Sequence, residues 1–331
     1  MKTIMIRRFL FAASAALTFA GCSRSLAEPV ASEDDGLYTL RVTVPAPATK
    51  SMLGADDSAI EDLQILVFDE DGLLEAYEAG PGNSHSFQCT KGVKEVVALV
   101  NAPSMQNVAS YSDLVAISSD LVDDNQPGRL VMEGKASLTV DGSQEMHTAT
   151  IEVRRLATKI SLGTVTLDFE AEHYNQLQFS ITGVYLVNVA GEKKYLSDVA
   201  PTVWYNRMKV EDGGDVPLIC DKLAPAVAVK EGTPYTAVHD FYCYPNPSPD
   251  SSEAEWSPRS TRFVVEAVLG EDTYFYPVTM PVLVQNTAYK VNLTIRRPGS
   301  LSPDVPVQTY WGEGVVTVVP WGDPVVVDKE I

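Results

Sequence analysis

Short apolar or alternating runs, each of strand length and bounded by turn residues, recur along most of this 331-residue chain. Alternation with a period of two places successive side chains on opposite faces of a β-strand. Asp-Gly and Gly-Gly pairs between the runs are typical of tight turns. The pattern therefore predicts an all-β fold, with strands such as LQILVF, VKEVVALV, TATIEV, QFSITGVYLV, RFVVEAVL and AYKVNLTI.

One segment has helical spacing instead. Between Tyr111 and Val122 the apolar residues recur at about 3.6 positions, and Ser112 could cap the start of a helix. Many strands with one short helix favour β-sandwiches, and the chain length suits about two of them. We place the boundary near RRLATKI (Arg154 to Ile160), where strand-like sequence continues on both sides without a flexible linker.

The N-terminus has the features of an export signal. Lys2, Arg7 and Arg8 precede the apolar run FLFAASAALTFA, which is shorter than the ~20 residues that a membrane span needs. The signal ends in FAGC, which resembles the lipobox of bacterial lipoproteins and predicts lipidation of Cys22. An ordinary signal peptide, cut near Gly21, is the alternative.

The charge balance is strongly acidic. Removing the three positive charges of the signal moves the formal net charge from −19 to −22. Such a chain repels the phosphate groups of nucleic acids and anionic lipids, so neither is expected as a partner.

Sequence motifs for catalysis or metal binding are absent. There is no GxSxG, GxGxxG or P-loop, and the four histidines (His85, His147, His173 and His239) lack zinc-ligand spacing. His239 and Asp240 are neighbours on a predicted strand and should point to opposite faces. The DEDG run at Asp69 predicts a hairpin turn rather than a calcium site. We predict no enzyme activity, no cofactor and no metal. Cys220 and Cys243 are either a disulfide or buried thiols.

Two terminal features remain. A strand from Leu37 to Val44 is broken by Pro45 and Pro47, and Lys50 follows among small residues. The chain ends in GVVTVVPWGDPVVVDKEI, which is unusually apolar for a terminus. The tail either closes its own sandwich or pairs with another molecule.

The order of these motifs resembles the fimbrillins of Bacteroidota, the FimA-like subunits of type V pili. A lipobox is followed by a short strand, a basic residue and ADDSAIEDLQILVFDEDG; VVALVNA, VRRLATKISL, FYCYPN, YFYPVTMPVLVQNTAYKVNLTI, RPGSLSPDVPV and VTVVPWGDP come later. The resemblance implies two tandem transthyretin-like β-sandwich domains. It also implies a subunit that reaches the outer membrane as a lipoprotein and is cut by a trypsin-like protease after a basic residue.

Carried onto this sequence, the resemblance divides the chain into a signal (1–21), a propeptide (22–50), an N-terminal sandwich (51–155) and a C-terminal sandwich (156–331). Cleavage falls between Lys50 and Ser51, and lysine rather than arginine leaves the identity of the protease open. Loss of the first strand leaves a groove, and the tail (314–331) of a neighbouring subunit fills it. A strand of ~8 residues buries ~4 side chains, so its loss costs on the order of 10 kcal/mol.

Alternation divides the tail into two faces. One face carries Val315, Thr317, Val319 and Trp321, and the other carries Val316, Val318 and Pro320. We favour the first as the donor face, because Trp321 buries the largest area. An anchor or tip fimbrillin is the alternative within the family. A monomeric surface lipoprotein that binds glycans through Trp204, Tyr205 and Trp256 is the alternative outside it.

Overall fold

The computed structural model describes residues 36–46, 57–207, 216–251, 253, 255–305 and 325–331. These residues form several β-sheets with short helices between them, which confirms the predicted all-β fold. Within the described ranges, no helix is long and apolar enough to cross a membrane.

The first pair of sheets is built from residues before Thr158. A three-stranded sheet has the order β4-β1-β8, and a five-stranded sheet has the order β3-β2-β5-β7-β9. Their strands are β1 (Tyr38–Thr43), β2 (Leu63–Phe68), β3 (Leu74–Gly80), β4 (Ser84–Cys89), β5 (Gly92–Val100), β7 (Met132–Val140), β8 (Met146–Thr150) and β9 (Arg154–Arg155). The inner faces of the two sheets share one apolar core, which includes Leu40, Ile65, Val96 and Met132.

The second pair of sheets follows from Thr158 onward, with strand orders β16-β10-β19-β20 and β15-β11-β17-β18. Its strands are β10 (Thr158–Leu167), β11 (Phe179–Val187), β15 (Cys220–Val229), β16 (Asp240–Cys243), β17 (Arg262–Leu269), β18 (Asp272–Thr279), β19 (Ala288–Ile295) and β20 (Val325–Glu330). The change of sheets falls where the sequence places the domain boundary. The division into two separate domains stays a prediction.

A second core fills the space between these later sheets. It also takes in the other face of the five-stranded sheet, through residues such as Leu66, Phe68 and Leu99. Every residue of β2 is therefore buried. Apart from Gln64, the strand is a run of apolar residues because it lies between two cores, as strands covered on both faces do.

The short elements complete the described chain. They are α1 (Tyr111–Ala116), β6 (Ser118–Asp120), α2 (Leu121–Asp124), β12 (Val189–Ala190), β13 (Glu192–Lys194), β14 (Trp204–Tyr205) and a 3₁₀-helix (Glu172–Gln176). β6 pairs with β13, and β12 pairs with β14.

The prediction of one helix from Tyr111 to Val122 was wrong. The segment forms two short helices separated by β6, because the backbone of Ser118–Asp120 pairs with the distant strand β13. The expected cap was also misplaced: the side chain of Ser110, not Ser112, accepts the hydrogen bond from the backbone N–H of Asp113.

The predicted hairpin turn at DEDG is confirmed. It joins β2 to β3, and Gly72 has a φ of +76°, which favours glycine. One carboxylate oxygen of Asp69 accepts hydrogen bonds from the backbone N–H groups of Asp71 and Leu73, at 3.0 and 2.8 Å. This carboxylate therefore stabilises the turn itself.

Candidate functional site

The strand before the predicted cleavage position is the middle strand of its sheet. β1 runs antiparallel to β4 and parallel to β8, so both of its edges are hydrogen-bonded. At its end, the N–H of Val44 donates to the carbonyl of Asn83 at 2.8 Å. The expected strand from Leu37 to Val44 is confirmed with bounds Tyr38–Thr43. Removing a middle strand would leave a gap between two others, rather than a shorter sheet.

The inner face of β1 and of the residue after it is covered by the core, apart from the half-buried ring of Tyr38. Leu40, Val42 and Val44 each have no exposed surface and pack into the core of the first pair of sheets. Complete burial of such side chains contributes about 1.5–3 kcal/mol each. β1 is thus a structural part of this core.

The outer face of β1 carries polar side chains that bond across to β4. Arg41 donates to the hydroxyl of Ser84 at 3.2 Å, and Gln88 donates to the hydroxyl of Thr39 at 3.0 Å. Exposed contacts of this kind contribute little to stability. Attachment of β1 therefore depends mainly on its inner face and on its backbone hydrogen bonds.

Two strands form the walls on either side of β1. Cys89 of β4 lies opposite Tyr38, has no exposed surface, and its thiol lies 3.7 Å from the Tyr38 carbonyl. His147 of β8 lies opposite Leu40, and its ring contacts the ring of Tyr38 edge-on with centroids 6.2 Å apart. The aromatic end of β1 is therefore held between β4 and β8. Burial, with the nearby charge of Glu75 as a smaller cause, raises the pKa of the Cys89 thiol.

A buried ionic network fixes the chain beyond the predicted cleavage loop. Asp57, which is 5% exposed, accepts from the ammonium of Lys159 at 3.0 Å and from the hydroxyl of Tyr242 at 2.9 Å. Lys159 also contacts Asp240 at 3.0 Å. Burial alone would lower the pKa of Lys159, but the charges of Asp57 and Asp240 outweigh it and raise that pKa. The loop thus runs between two buried points, Val44 and Asp57.

The described part of the C-terminal tail pairs with its own chain. β20 lies parallel to β19 at the edge of a sheet, and the Asn292 amide donates to Asp328 at 2.8 Å. Ile331 is 1% exposed, and its N–H donates to the carbonyl of Thr294 at 3.0 Å. Residues 325–331 of the expected donor tail therefore close their own sheet in this structure.

The point from which the tail departs is also fixed. Asp304, which is 4% exposed, accepts from Arg259 at 3.0 Å and from the Asn188 amide at 2.6 Å. The guanidinium of Arg262 donates to the Asp304 carbonyl at 3.1 Å. Buried charges need such pairing, because an unpaired one is costly. The tail therefore has a firm attachment to the second pair of sheets.

Several predicted site residues lie outside the described residues. They are Cys22, Lys50, Ser51, Val315, Thr317, Val319 and Trp321. Their roles stay predictions. The structure instead adds the two walls of the groove and the Asp57 network, which sequence reasoning missed. Each depends on partners far apart in the chain, so no local spacing could have indicated them.

His239 and Asp240 point to different partners, as expected. The His239 ring lies 2.7 Å from the Asp221 carboxylate and 2.7 Å from the Tyr235 hydroxyl. Asp240 accepts from Ser161 at 2.6 Å. The Tyr235–His239–Asp221 chain was not predicted, because Asp221 lies on the distant strand β15.

The candidate glycan-binding aromatic residues have structural partners. Trp204 is 8% exposed and packs edge-on against Trp256 with centroids 5.5 Å apart. The Trp256 ring N–H donates to Asn188 at 2.9 Å, and the Tyr205 hydroxyl donates to Asp120 at 2.6 Å. Trp204 and Tyr205 form the short strand β14, rather than an exposed loop that would present both rings to a sugar.

The described residues include neither a disulfide nor a cluster of metal ligands. Cys89, Cys220 and Cys243 are buried and none of them forms a disulfide. Among the described residues, no cluster of His, Cys, Asp and Glu side chains could hold a metal ion.

Part of the chain matches a known protein family. Residues 39–162 match the family model of the major fimbrial subunit protein, FimA. That match begins inside β1 and ends inside β10. A search of curated protein sequences found no match.

Solved structures share the fold over most of the chain. A proposed cell adhesion protein of Bacteroides eggerthii is 19% identical, with a TM-score of 0.61, over 88% of this chain and 97% of that one. One from Parabacteroides distasonis is 18% identical, with a TM-score of 0.59, over 88% and 98%. A fimbrilin (FimA) of Porphyromonas gingivalis is 14% identical, with a TM-score of 0.59, over 88% and 96%. The resemblance to the fimbrillins is therefore confirmed.

Proposed function

Because the chain has the fold of the fimbrillins and matches FimA over residues 39–162, we propose that it is a structural subunit of a cell-surface fimbria that supports adhesion. The subunit is exported as a lipoprotein through Cys22 and held in the outer membrane. A trypsin-like protease cuts it after Lys50, and it polymerises with other fimbrillin subunits by donor-strand exchange.

One observation carries the proposal: a middle strand whose inner aliphatic side chains are fully buried precedes the predicted cleavage loop. Three buried aliphatic side chains and the ladder hydrogen bonds make its loss cost on the order of 10 kcal/mol, which is comparable to the stability of a whole domain. Once β1 is gone, the exposed core favours any strand that restores the burial. β-strand addition from a second subunit does so and links the two molecules.

The tail supplies the strand in this proposal. The segment from Val315 to Trp321 is apolar on both faces and lies between two fixed points, Asp304 and β20. Release of β20 frees the segment to reach a neighbour, because among the described strands β20 pairs along one edge, with β19. The FimA match and the apolar tail favour a stalk subunit over an anchor or a tip. The glycan-binding alternative is less supported, because its aromatic side chains pack against one another and against polar partners.

Two truncations separate donation from closure of the chain's own sheet. A chain that ends at Gly314 and one that ends at Trp321 both lose β20, but only the second keeps the donor segment. We expect the longer chain to assemble into fibres after cleavage and the shorter one to cap growing fibres. The measurement is fibre length by electron microscopy, with N-terminal sequencing to verify a start at Ser51. Equal fibre lengths from both truncations would contradict donation by this segment.

A further inference from the structure

The groove has an ordered pattern of four sites, defined by the side chains that β1 places in it. The first site holds the half-buried ring of Tyr38, beside His147. The next three hold Leu40, Val42 and Val44, all fully buried. In the direction of β1, the groove therefore takes one aromatic side chain followed by three aliphatic ones at alternate positions.

The tail does not contain this pattern in the direction of β1. If Trp311 takes the Tyr38 site, the next inward-facing residue is Glu313, which then occupies the Leu40 site. If Trp321 takes the Tyr38 site, Asp323 occupies the Leu40 site. If Tyr310 takes the Tyr38 site, Gly312 occupies the Leu40 site. A buried unpaired carboxylate costs several kcal/mol, and a glycine leaves a cavity.

The tail contains the pattern in reverse. Val315, Thr317 and Val319 are followed by Trp321 at the next alternate position. On the basis of the proposed strand exchange, we propose that the donor segment Val315–Trp321 of a second copy enters the groove in the opposite direction to β1. Trp321 then takes the Tyr38 site, and Val319, Thr317 and Val315 take the sites of Leu40, Val42 and Val44. The donor runs parallel to β4 and antiparallel to β8.

Side-chain volume favours the reverse direction when the four residues Val315, Thr317, Val319 and Trp321 fill the four sites. In the direction of β1, Trp321 would occupy the fully buried site of Val44. Adding a ring system to a packed valine site forces the surrounding structure apart and costs more than the usual 1–3 kcal/mol of overpacking. In the reverse direction, one aromatic side chain replaces another at the half-buried end of the groove.

A second tail window has the same reversed pattern, from Val305 to Trp311. It starts directly after Asp304, which is buried against Arg259 and Arg262. This window would have to leave its own subunit without any spacer. The window from Val315 has ten residues between Asp304 and its first donor residue, enough for roughly 30 Å of extended chain.

Disulfide trapping tests the direction with outward-facing positions of β4. In both directions Val318 takes the place of Arg41, opposite Ser86. In the reverse direction Val316 takes the place of Thr43, opposite Ser84, whereas in the direction of β1 it takes the place of Thr39, opposite Gln88. Ser84 and Gln88 are four residues apart, about 13 Å along the strand, so one donor cysteine cannot reach both.

The experiment mixes two kinds of subunit, both cut before Ser51 and both with the complete tail. One carries a donor cysteine, and the other carries an acceptor cysteine. Oxidised fibres are resolved on non-reducing gels, and mass spectrometry identifies the linked peptides. We expect links for Val318→Cys with Ser86→Cys and for Val316→Cys with Ser84→Cys, and several-fold fewer links for Val316→Cys with Gln88→Cys. The melting temperature of each single variant verifies its fold.

The results separate the direction from the exchange itself. If Val318→Cys links to Ser86→Cys while Val316→Cys links to Gln88→Cys, exchange occurs in the direction of β1 and this inference is wrong. If fibres form but Val318→Cys does not link to Ser86→Cys, the segment does not enter the groove in this register and the inference is wrong. Fibres formed by the chain that ends at Gly314 would exclude the segment as the donor, and that part of the proposed function would then fail as well.

Discussion

Cys89 provides a natural reporter for release of β1. Its thiol is fully buried beneath the start of β1, next to the Tyr38 carbonyl. In the uncut chain, the thiol reacts only when β1 leaves the groove. Burial of Leu40, Val42 and Val44 opposes that release by about 5 kcal/mol, counting ~1.5 kcal/mol for each side chain. Since every 1.4 kcal/mol is tenfold, alkylation should be slower than in the open groove by roughly 10³-fold or more.

The assay follows alkylation of individual cysteines by mass spectrometry before and after cleavage at Lys50, with β1 removed by dilution. We expect Cys89 to become reactive after β1 is lost and protected again when a donor strand binds. Burial also ends at that moment, so the raised pKa of this thiol should fall and speed the reaction further.

Cys243 is the internal control, because it is fully buried in the second core. Its reactivity should stay low throughout, and Lys50→Ala should keep Cys89 protected when the protease is added. Equal labelling of both thiols after cleavage would mean that the whole chain unfolds. An unreactive Cys89 after verified loss of β1 would refute the claim that β1 covers this core.

Further predictions concern export, cleavage and acid stability. Cys22→Ala should abolish incorporation of a fatty-acid probe into the precursor; unchanged labelling contradicts the lipobox. Lys50→Ala should stay full length and form no fibres, whereas Lys50→Arg should still be cut, as N-terminal sequencing would verify. Glu75→Gln should lower the free energy of unfolding at neutral pH by about 3 kcal/mol, because it removes the ionic partner, 2.5 Å away, of Lys94, which is 2% exposed. Burial would raise the pKa of Glu75, but the hydrogen bonds from Lys94 and Thr90, together with the charge of Lys94, outweigh burial and lower that pKa. This stability is therefore present above pH ~4.5 and lost as the pH falls further, and urea titrations should show a weaker acid dependence in the variant.

The strands that the sequence predicted are those whose burial follows a simple period. Along β1 and the residue after it, Leu40, Val42 and Val44 alternate with Arg41 and Thr43, and only the first set is buried. A single covered face produces this alternation, so it can be recognised without any knowledge of the partner strands.

The errors arise where distant partners decide the local structure. Ser118–Asp120 has neighbours with helical spacing, but its backbone pairs with Glu192–Lys194. Trp204 lies in a short segment bounded by Pro201 and Asn206, and yet it is buried against Trp256. In both cases tertiary contacts override the local preference, and the sequence between the partners carries no sign of them.

The groove depends both on a local alternation that the sequence shows and on distant pairing that it does not show. The pattern of β1 can be read from the sequence, but the identity of its walls requires the register of β4 and β8. That register shows which end of the groove is aromatic, because it places Tyr38 opposite Cys89 and its ring against His147. The tail is apolar on both faces, so its own sequence does not indicate in which direction it would insert. The order of aromatic and aliphatic sites in the groove supplies that information. In the proposed exchange, Trp321 distinguishes the two directions of insertion, because the Tyr38 site already holds a half-buried aromatic ring whereas the Val44 site holds a fully buried valine.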